Sequence, residues 1–126
     1  MIFFEESGVS FGSFPRDDFY KIEHSKGHKS LGNGFKMVEF TYLKNQKMFM
    51  VEAKSSIPNP RNTSDYENYW NEIFEKFENA LPLQMMGCLK QNSIVEQELP
   101  SNHKLIDWQK ATIQLRLIIP KVPNQH

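Results

Sequence analysis

The sequence predicts an α+β or α/β fold: a small mixed β-sheet with a central hairpin, and one long amphipathic helix. Three patterns support this class. Two apolar segments flank a polar turn at 44–47, helical periodicity runs through 64–81, and apolar residues alternate along 112–119. The length of 126 residues suits one core, so we expect a single domain over 1–126.

Composition limits the class of protein further. The formal net charge is zero, so no overall field attracts nucleic acid. The single cysteine, Cys88, excludes an intrachain disulfide and is typical of a reducing compartment. Glu5 and Glu6 directly follow the initial apolar residues, unlike a secretory signal, and no apolar run reaches membrane-spanning length. We therefore expect a soluble, cytoplasmic protein with no membrane partner.

The first third of the chain gives weaker signals. Residues 1–14 alternate loosely, which predicts an extended segment or an edge strand. Residues 15–24 fit a short helix entered near Pro15, with a strand over 19–22 as a nearly equal alternative. Residues 25–34 are rich in Gly, Ser and Lys, and this composition predicts a loop.

Residues 35–43 and 48–55 are rich in β-branched, aromatic and Met residues, which predicts a β-hairpin. A loop of either two or four residues pairs position i with position 91 − i. Glu39 then lies opposite Glu52, with β-carbons roughly 4.5–5.5 Å apart. An odd loop without a bulge would put the two glutamates on opposite faces. The other face should hold Val38, Phe40, Tyr42, Phe49, Val51 and Ala53.

The most regular helical pattern begins at Ser64, a good N-cap with Glu67 three residues later. Its core-facing residues are Tyr66, Tyr69, Trp70, Ile73, Phe74, Phe77, Ala80 and Leu81. Its solvent-facing residues are Glu67, Glu72, Glu75, Lys76 and Glu78. Pro82 predicts a kink or an interruption before a further helical piece over 83–89. Residues 92–108 are expected to be irregular, and 112–119 to form a strand.

Two carboxylates that converge on one sheet face suggest a chemical role. Repulsion between Glu39 and Glu52 would raise one pKa or favour a cation between them. Oxygen-only ligands of this kind suit Mg²⁺ or Mn²⁺. Lys54 lies two residues after Glu52 and so on the same strand face, where it could hold a water or a phosphate. This combination is typical of metal-assisted phosphodiester hydrolysis.

The order of these features resembles the PD-(D/E)XK nuclease-like superfamily. The matching residues are Glu39 in MVEFTYL and Glu52-Ala53-Lys54 in MVEAKSS, followed by the helix and the last strand. The resemblance implies a PD-(D/E)XK-like core and a Mg²⁺- or Mn²⁺-dependent endonuclease acting on DNA. It also implies a metal bound by Glu39, Glu52 and the Ala53 carbonyl, with Lys54 activating water. Glu23, from a preceding helix, is the candidate for a further metal-binding acid.

Other polar residues near the proposed site have functional and ordinary interpretations. Four basic residues could contact DNA phosphates, or be ordinary surface charges: Lys26, Lys29, Lys36 and Arg61. His24 and His28 are more readily interpreted as solvated histidines than as a zinc pair. Glu52 and Lys54 have the alternative of a solvent-facing ion pair on a strand.

A second hypothesis comes from a different class of protein. The same fold can serve as a non-catalytic module that binds a partner protein or forms a homodimer. The neutral charge, the small size and the lack of a strong basic stripe favour this hypothesis. A role in a mobile-element or defence system rests only on analogy with other small nuclease-like domains.

Overall fold

The computed structural model describes residues 1–120, which fold as an α+β protein, as predicted. Its elements follow in chain order: β1 (Ile2–Glu6), β2 (Val9–Phe14), β3 (Phe19–Tyr20), α1 (Lys26–Ser30), β4 (Phe40–Lys44), β5 (Lys47–Ala53), α2 (Thr63–Cys88), α3 (Ser93–Glu98), a 3₁₀ turn (Ser101–Leu105) and β6 (Thr112–Ile118).

The main sheet has four strands in the order β3-β4-β5-β6. The β3–β4 and β4–β5 pairs are antiparallel, whereas β5 and β6 are parallel. A parallel pair needs a long crossover connection, and α2 lies in that connection. Strands β1 and β2 form a separate antiparallel hairpin. The predicted mixed sheet with its central hairpin is confirmed.

The main sheet lies between two layers. On one face, Ile73, Phe77, Ala80 and Leu83 of α2 pack against Met50 and its neighbours in the larger core. On the other face, aromatic residues of the β1–β2 hairpin cover Phe40 and Val51 in a second, smaller core. Period-two alternation along β4 and β5 therefore supplies both cores from the same two strands.

The β4–β5 register agrees with the prediction, since Phe40 pairs with Val51 and Lys44 with Lys47. The turn has two residues, Asn45 and Gln46, both with positive φ, which is the turn type that suits the strand twist. Gln46 is held in this conformation from outside the hairpin. Its side chain accepts a 3.0 Å hydrogen bond from the Asp107 amide, and its carbonyl accepts one from the Thr112 amide.

The regular pairing ends at Glu39. Its amide donates to the Val51 carbonyl at 3.0 Å, one residue out of the register that pairs Val51 with Phe40. Val38 consequently packs in the core beneath α2 and not on the face of Phe40, as the sequence had predicted. The slip adds local curvature where the chain delivers Glu39 to the end of the sheet.

Helix α2 differs from its prediction in three ways. Its N-cap is Asn62, whose side chain accepts a 3.4 Å hydrogen bond from the Asp65 amide, and not Ser64. The helix continues through Pro82. Proline has no amide hydrogen to donate to the Glu78 carbonyl, but Glu78 is exposed, so water can take the place of that hydrogen bond. Phe74 is exposed instead of lying in the core. No helix within residues 1–120 is long and apolar enough to cross a membrane.

Three shorter segments also differ. Residues 1–14 form a complete hairpin. The helix predicted over 15–24 is absent, and β3 lies within the strand that the sequence offered as the alternative over 19–22. Helix α1 occupies part of the predicted loop at 25–34, and α3 with the 3₁₀ turn occupies the predicted irregular segment at 92–108. Both short helices have side-chain caps, Ser25 for α1 and Asn92 for α3, that stabilise turns too short to show periodicity.

Val95 of α3 joins the three helices. It is fully buried, and a β-carbon added at either Gly27 of α1 or Gly87 of α2 would clash with a Val95 methyl group. Glycine at both positions therefore permits a close approach that alanine would prevent.

We expect Gly87→Ala to destabilise the protein by about 1–3 kcal/mol through overpacking against Val95. Helix propensity alone predicts the opposite effect, a stabilisation of the folded protein by about 1 kcal/mol. Urea denaturation of Gly87→Ala, Val95→Ala and the double variant measures the coupling between the two positions. In the double variant the penalty should shrink but not vanish, because Leu99 Cδ1 and the β-carbon at position 95 remain 3.0 Å from the added carbon. An equal penalty in both backgrounds contradicts the steric explanation.

Candidate functional site

Three glutamate side chains converge at one end of the four-stranded sheet. Glu23 comes from the loop between β3 and α1, Glu39 directly precedes β4, and Glu52 lies near the end of β5. The Glu39 carboxyl hydrogen-bonds that of Glu23 and experiences the charge of Glu52. The structure thus brings the predicted acids together, although Glu23 lies in a loop and not on the predicted helix.

The two hairpin glutamates are buried. Glu52 is 0% exposed and Glu39 is 5% exposed. The interpretation of Glu52 and Lys54 as a solvent-facing pair is therefore wrong for Glu52. A carboxylate at such a depth is costly unless a cation or hydrogen-bond donors compensate for the lost water.

Lys76 of α2 supplies the cation beside Glu52. Its Nζ forms an ion pair with Glu52 Oε2, and its side chain is 14% exposed. The prediction that Lys76 belongs to the solvent-facing side of the helix is therefore wrong. Lys76 lies three residues after Ile73 and four before Ala80, so its stem follows the buried side of α2 while its ammonium reaches the sheet.

The Glu23–Glu39 pair holds a proton. The pKa of Glu39 is raised to about 8, chiefly by burial and in addition by the hydrogen bond with Glu23 and the charges of Glu23, Glu52 and Glu6. Burial also acts to raise the pKa of Glu23, but the hydrogen bond from Glu39 and the charge of Lys21 outweigh it and lower that pKa. Near neutral pH, Glu39 is therefore the protonated donor and Glu23 the ionised acceptor.

Burial also has the largest effect on the pKa of Glu52. It raises the pKa of Glu52, although the hydrogen bond and charge of Lys76 and the charge of Lys54 oppose it. For Lys76, burial acts to lower the pKa, but the hydrogen bond and charge of Glu52 reverse the direction and raise it. The ammonium is therefore held in its charged form beside the buried acid.

Hydrogen bonding within the cluster is incomplete. In residues 1–120, three buried side-chain polar atoms have no hydrogen-bond partner: Glu39 Oε2, Glu52 Oε1 and the Tyr69 hydroxyl. Lys21 Nζ lies 3.9 Å from Glu39 Oε2, too far for a hydrogen bond. The charge of Glu52 raises the pKa of Tyr69, after the larger effect of burial, so the phenol lies near the same cluster. Buried atoms without partners mark a place for a ligand or an ordered water.

The Ala53-Lys54 part of the motif is arranged differently from the glutamates. The Ala53 carbonyl accepts a hydrogen bond from Ser7 Oγ at 3.2 Å, which brings the β1–β2 turn to the site. The Lys54 amide donates to the Ile118 carbonyl and continues the β5–β6 pairing. The Lys54 ammonium makes no ion pair within the described part of the chain, but its charge acts on both Glu52 and Glu72.

A cavity of about 350 Å³ opens beside the cluster. Its lining includes Glu23, His24, His28, Phe35, Lys36, Glu72 and Lys76. His28 accepts from the His24 amide at 2.9 Å through Nδ1, and its Nε2 hydrogen-bonds the Phe35 carbonyl. With both ring nitrogens engaged, His28 holds the loop at the cavity mouth and is unsuited to binding zinc.

The four basic candidates are dispersed. Lys36 pairs with Glu72 at 3.1 Å on the cavity rim. Lys29 belongs to α1 and lines a different cavity from the one beside the glutamate cluster. Lys26 and Arg61 are exposed, and neither forms an ion pair within residues 1–120. A DNA-binding role for these residues therefore stays a prediction.

No ready-made metal site exists in the described residues, in the sense of three or more His, Cys, Asp or Glu side chains already arranged to enclose an ion. Glu52 Oε2 is engaged by Lys76, and the Glu39 carboxyl by Glu23, while Glu52 Oε1 and Glu39 Oε2 have no hydrogen-bond partner. Comparison with protein-family models, curated proteins and solved structures finds no match.

Sequence reasoning missed three members of this cluster: Lys76, Tyr69 and Ser7. The helical spacing put Tyr69 on the core side without assigning it to the cluster. Lys76 lies seven residues later, on the same side of α2 as the buried Ile73, so the same spacing could have placed it near the sheet. Ser7 gave no signal, because its contact with Ala53 spans 46 residues of sequence.

The raised pKa of Glu39 predicts how stability depends on pH. The pKa of Glu39 in the folded state, about 8, exceeds the ordinary value of 4.5. The stability that protonated Glu39 contributes is therefore fully present below about pH 4.5 and is lost as pH rises through 8. Without added divalent cations, the free energy of unfolding should fall across this window in the wild type. Glu39→Gln cannot ionise and should show a weaker fall.

Urea denaturation over the same pH range tests this expectation. His103 is buried with its pKa lowered by burial, so it reduces stability as pH falls below 6.5 in both proteins. The difference between wild type and Glu39→Gln therefore isolates Glu39. Parallel curves for the two proteins above pH 6.5 refute the raised pKa.

Proposed function

We propose that this protein is a metal-dependent phosphodiester hydrolase acting on DNA. One observation carries the proposal: Glu39 Oε2 and Glu52 Oε1 are buried carboxylate oxygens without hydrogen-bond partners. These two oxygens can accept a further ligand, and once Glu39 has lost its proton a hard divalent cation such as Mg²⁺ or Mn²⁺ suits the all-oxygen donor set. The order of hairpin, helix and parallel strand supports the likeness to a PD-(D/E)XK core.

The residues present fit such a cation. Glu39 and Glu52 would hold it, with Glu23 as a supporting acid. The Ala53 carbonyl already accepts from Ser7, but a carbonyl oxygen has a second lone pair for a ligand. A divalent cation bound there supplies Lewis-acid polarisation of a phosphoryl oxygen and a lower pKa for a water molecule.

The lysines supply the positive charge that a phosphodiester requires. Lys76 holds a buried ammonium against Glu52, and Lys54 places a second charge within electrostatic reach of the same acid. Both can bind the non-bridging phosphate oxygens and stabilise the charge that develops as water attacks phosphorus and the P–O ester bond breaks. Lys76 thus shares with Lys54 the role of binding the phosphate, which the motif alone assigned to Lys54.

Cation binding should be coupled to a proton. Glu39 must lose the proton it shares with Glu23, so affinity should rise about tenfold between about pH 6.5 and about pH 7.5. Calorimetric titration with Mn²⁺ and Mg²⁺ at both values measures the change. Glu52→Gln should abolish binding, and Glu67→Gln, an exposed acid on α2, should not. Equal binding by wild type and Glu52→Gln would place the cation elsewhere.

Nuclease activity tests the reaction itself. Purified protein with Mn²⁺ or Mg²⁺ should cleave plasmid or labelled oligonucleotide DNA, and chelation with EDTA should stop it. Glu52→Gln and Lys76→Met should each lower the rate on the order of 10²-fold, because each removes a charge beside the reacting phosphate. Glu67→Gln should retain wild-type activity. Cleavage that survives both Glu52→Gln and Lys54→Ala removes the motif from the reaction.

A second candidate function is favoured by the ion pair itself. Lys76 already neutralises Glu52, and Ser7 already occupies the Ala53 carbonyl, as expected if the cluster only stabilises a non-catalytic module. Such a module would bind a partner protein or form a homodimer. A protein that binds neither Mg²⁺ nor Mn²⁺ at either pH favours the module. For either function, the single buried Cys88 suits a reducing cytoplasm.

A further inference from the structure

The outer edge of β6 carries backbone groups directed away from the sheet. The Thr112 amide donates to the Gln46 carbonyl, and the Ile118 carbonyl accepts from the Lys54 amide. The backbone groups of the even-numbered residues of β6 therefore point toward β5. Because backbone groups alternate, those of Ile113, Leu115 and Leu117 point outward. No strand of residues 1–120 pairs with this edge, and the Leu115 carbonyl receives only a 3.4 Å hydrogen bond from the adjacent Arg116.

Apolar side chains accompany this edge. Ile113 is 38% exposed and Leu115 is 50% exposed. On α2, Glu72 and Asn79 contact Lys36, so that flank faces the loop before β4. Phe74, 56% exposed, lies on the opposite flank of the helix.

We infer that β6 is the interface of a homodimer, in which two copies of the strand pair antiparallel about a two-fold axis at Leu115. Leu115 then lies opposite its own copy, and Ile113 lies opposite Leu117 of the other copy. In each pair the outward amide and carbonyl groups exchange two hydrogen bonds, as in a regular antiparallel ladder. The two four-stranded sheets become one continuous sheet of eight strands.

The sequence of β6 favours a second copy over an unrelated strand. With this register, apolar residues face apolar residues on the α2 side, and Gln114 faces Arg116 on the other side. These two already hydrogen-bond within one chain, and no like charges lie directly opposite each other. Residues 112–118 also lack the prolines and bulges that normally protect an edge, and their one charged side chain, Arg116, lies over the Phe49 ring at 5.5 Å. The two α2 helices would lie on the same face of the joined sheet.

Sedimentation velocity over a concentration series tests the assembly. The wild type should sediment as a dimer, and Leu115→Lys should shift it to the monomer by placing two ammonium groups opposite each other at the axis. Leu105→Lys, at an apolar residue that is 76% exposed and outside β6, should remain dimeric. Cooperative unfolding of Leu115→Lys shows that the fold is intact. A wild type that is monomeric throughout overturns the inference.

Cysteine cross-linking tests the register independently of any folding defect. Leu115→Cys brings two thiols opposite each other, with α-carbons about 5.5 Å apart and within disulfide range. Mild oxidation should give a covalent dimer. Ile113→Cys is the matched control, since its two copies lie four residues apart along the strands, beyond disulfide range. Cross-linking of Ile113→Cys as efficiently as Leu115→Cys overturns the register.

This dimer does not depend on the glutamate cluster. Glu52→Gln should sediment as the wild type does, so loss of cation binding and loss of the dimer are separable results. Buried Cys88 should contribute no cross-link, and wild type under the same oxidation checks this.

Discussion

The burial of Glu52 beside Lys76 is the constraint around which the rest of the structure is organised. A carboxylate with no exposure is tolerated only because an ammonium from the crossover helix reaches it. The pair links β5 to α2 at the point where the chain must cross from one parallel strand to the next. Removing either partner leaves a buried charge uncompensated, so the ion pair and the helix position are interdependent. The buried Glu39 beside Glu23 is tolerated in a similar way, because a proton on Glu39 removes its charge where an ammonium offsets the charge of Glu52.

The strongest periodicities predicted the fold well. Period-two alternation and a short polar turn gave the β4–β5 hairpin and its register, and helical spacing gave most of α2. The failures have physical causes. Helices α1 and α3 have five and six residues, too few to show a period, and depend on caps and on the Val95 contact. The Val38 assignment failed because the strand slips at Glu39, a change made by one hydrogen bond.

The candidate site was predictable only where it lay on the hairpin. An even turn length was enough to place Glu39 near Glu52, because the strand period fixes which side chains share a face. Lys76 was misassigned because a charged residue on a helix was taken as solvent-facing, whereas its long apolar stem runs along the core and only its ammonium meets a polar group. Contacts such as Ser7 with Ala53 arise from tertiary packing and have no local sequence signal.

The cluster is balanced in charge as it stands. Glu52 is matched by Lys76, Glu23 by Lys21 at 3.3 Å, and Glu39 by its proton. Such balance explains how three acids can share a mostly dry site, but it leaves Glu39 Oε2 and Glu52 Oε1 unsatisfied. A purely structural cluster gains nothing from these two oxygens, since apolar side chains of similar volume would fill the space without a desolvation cost. These two oxygens, close to a cavity lined by Glu23 and Lys76, are the physical basis for proposing that a divalent cation binds there.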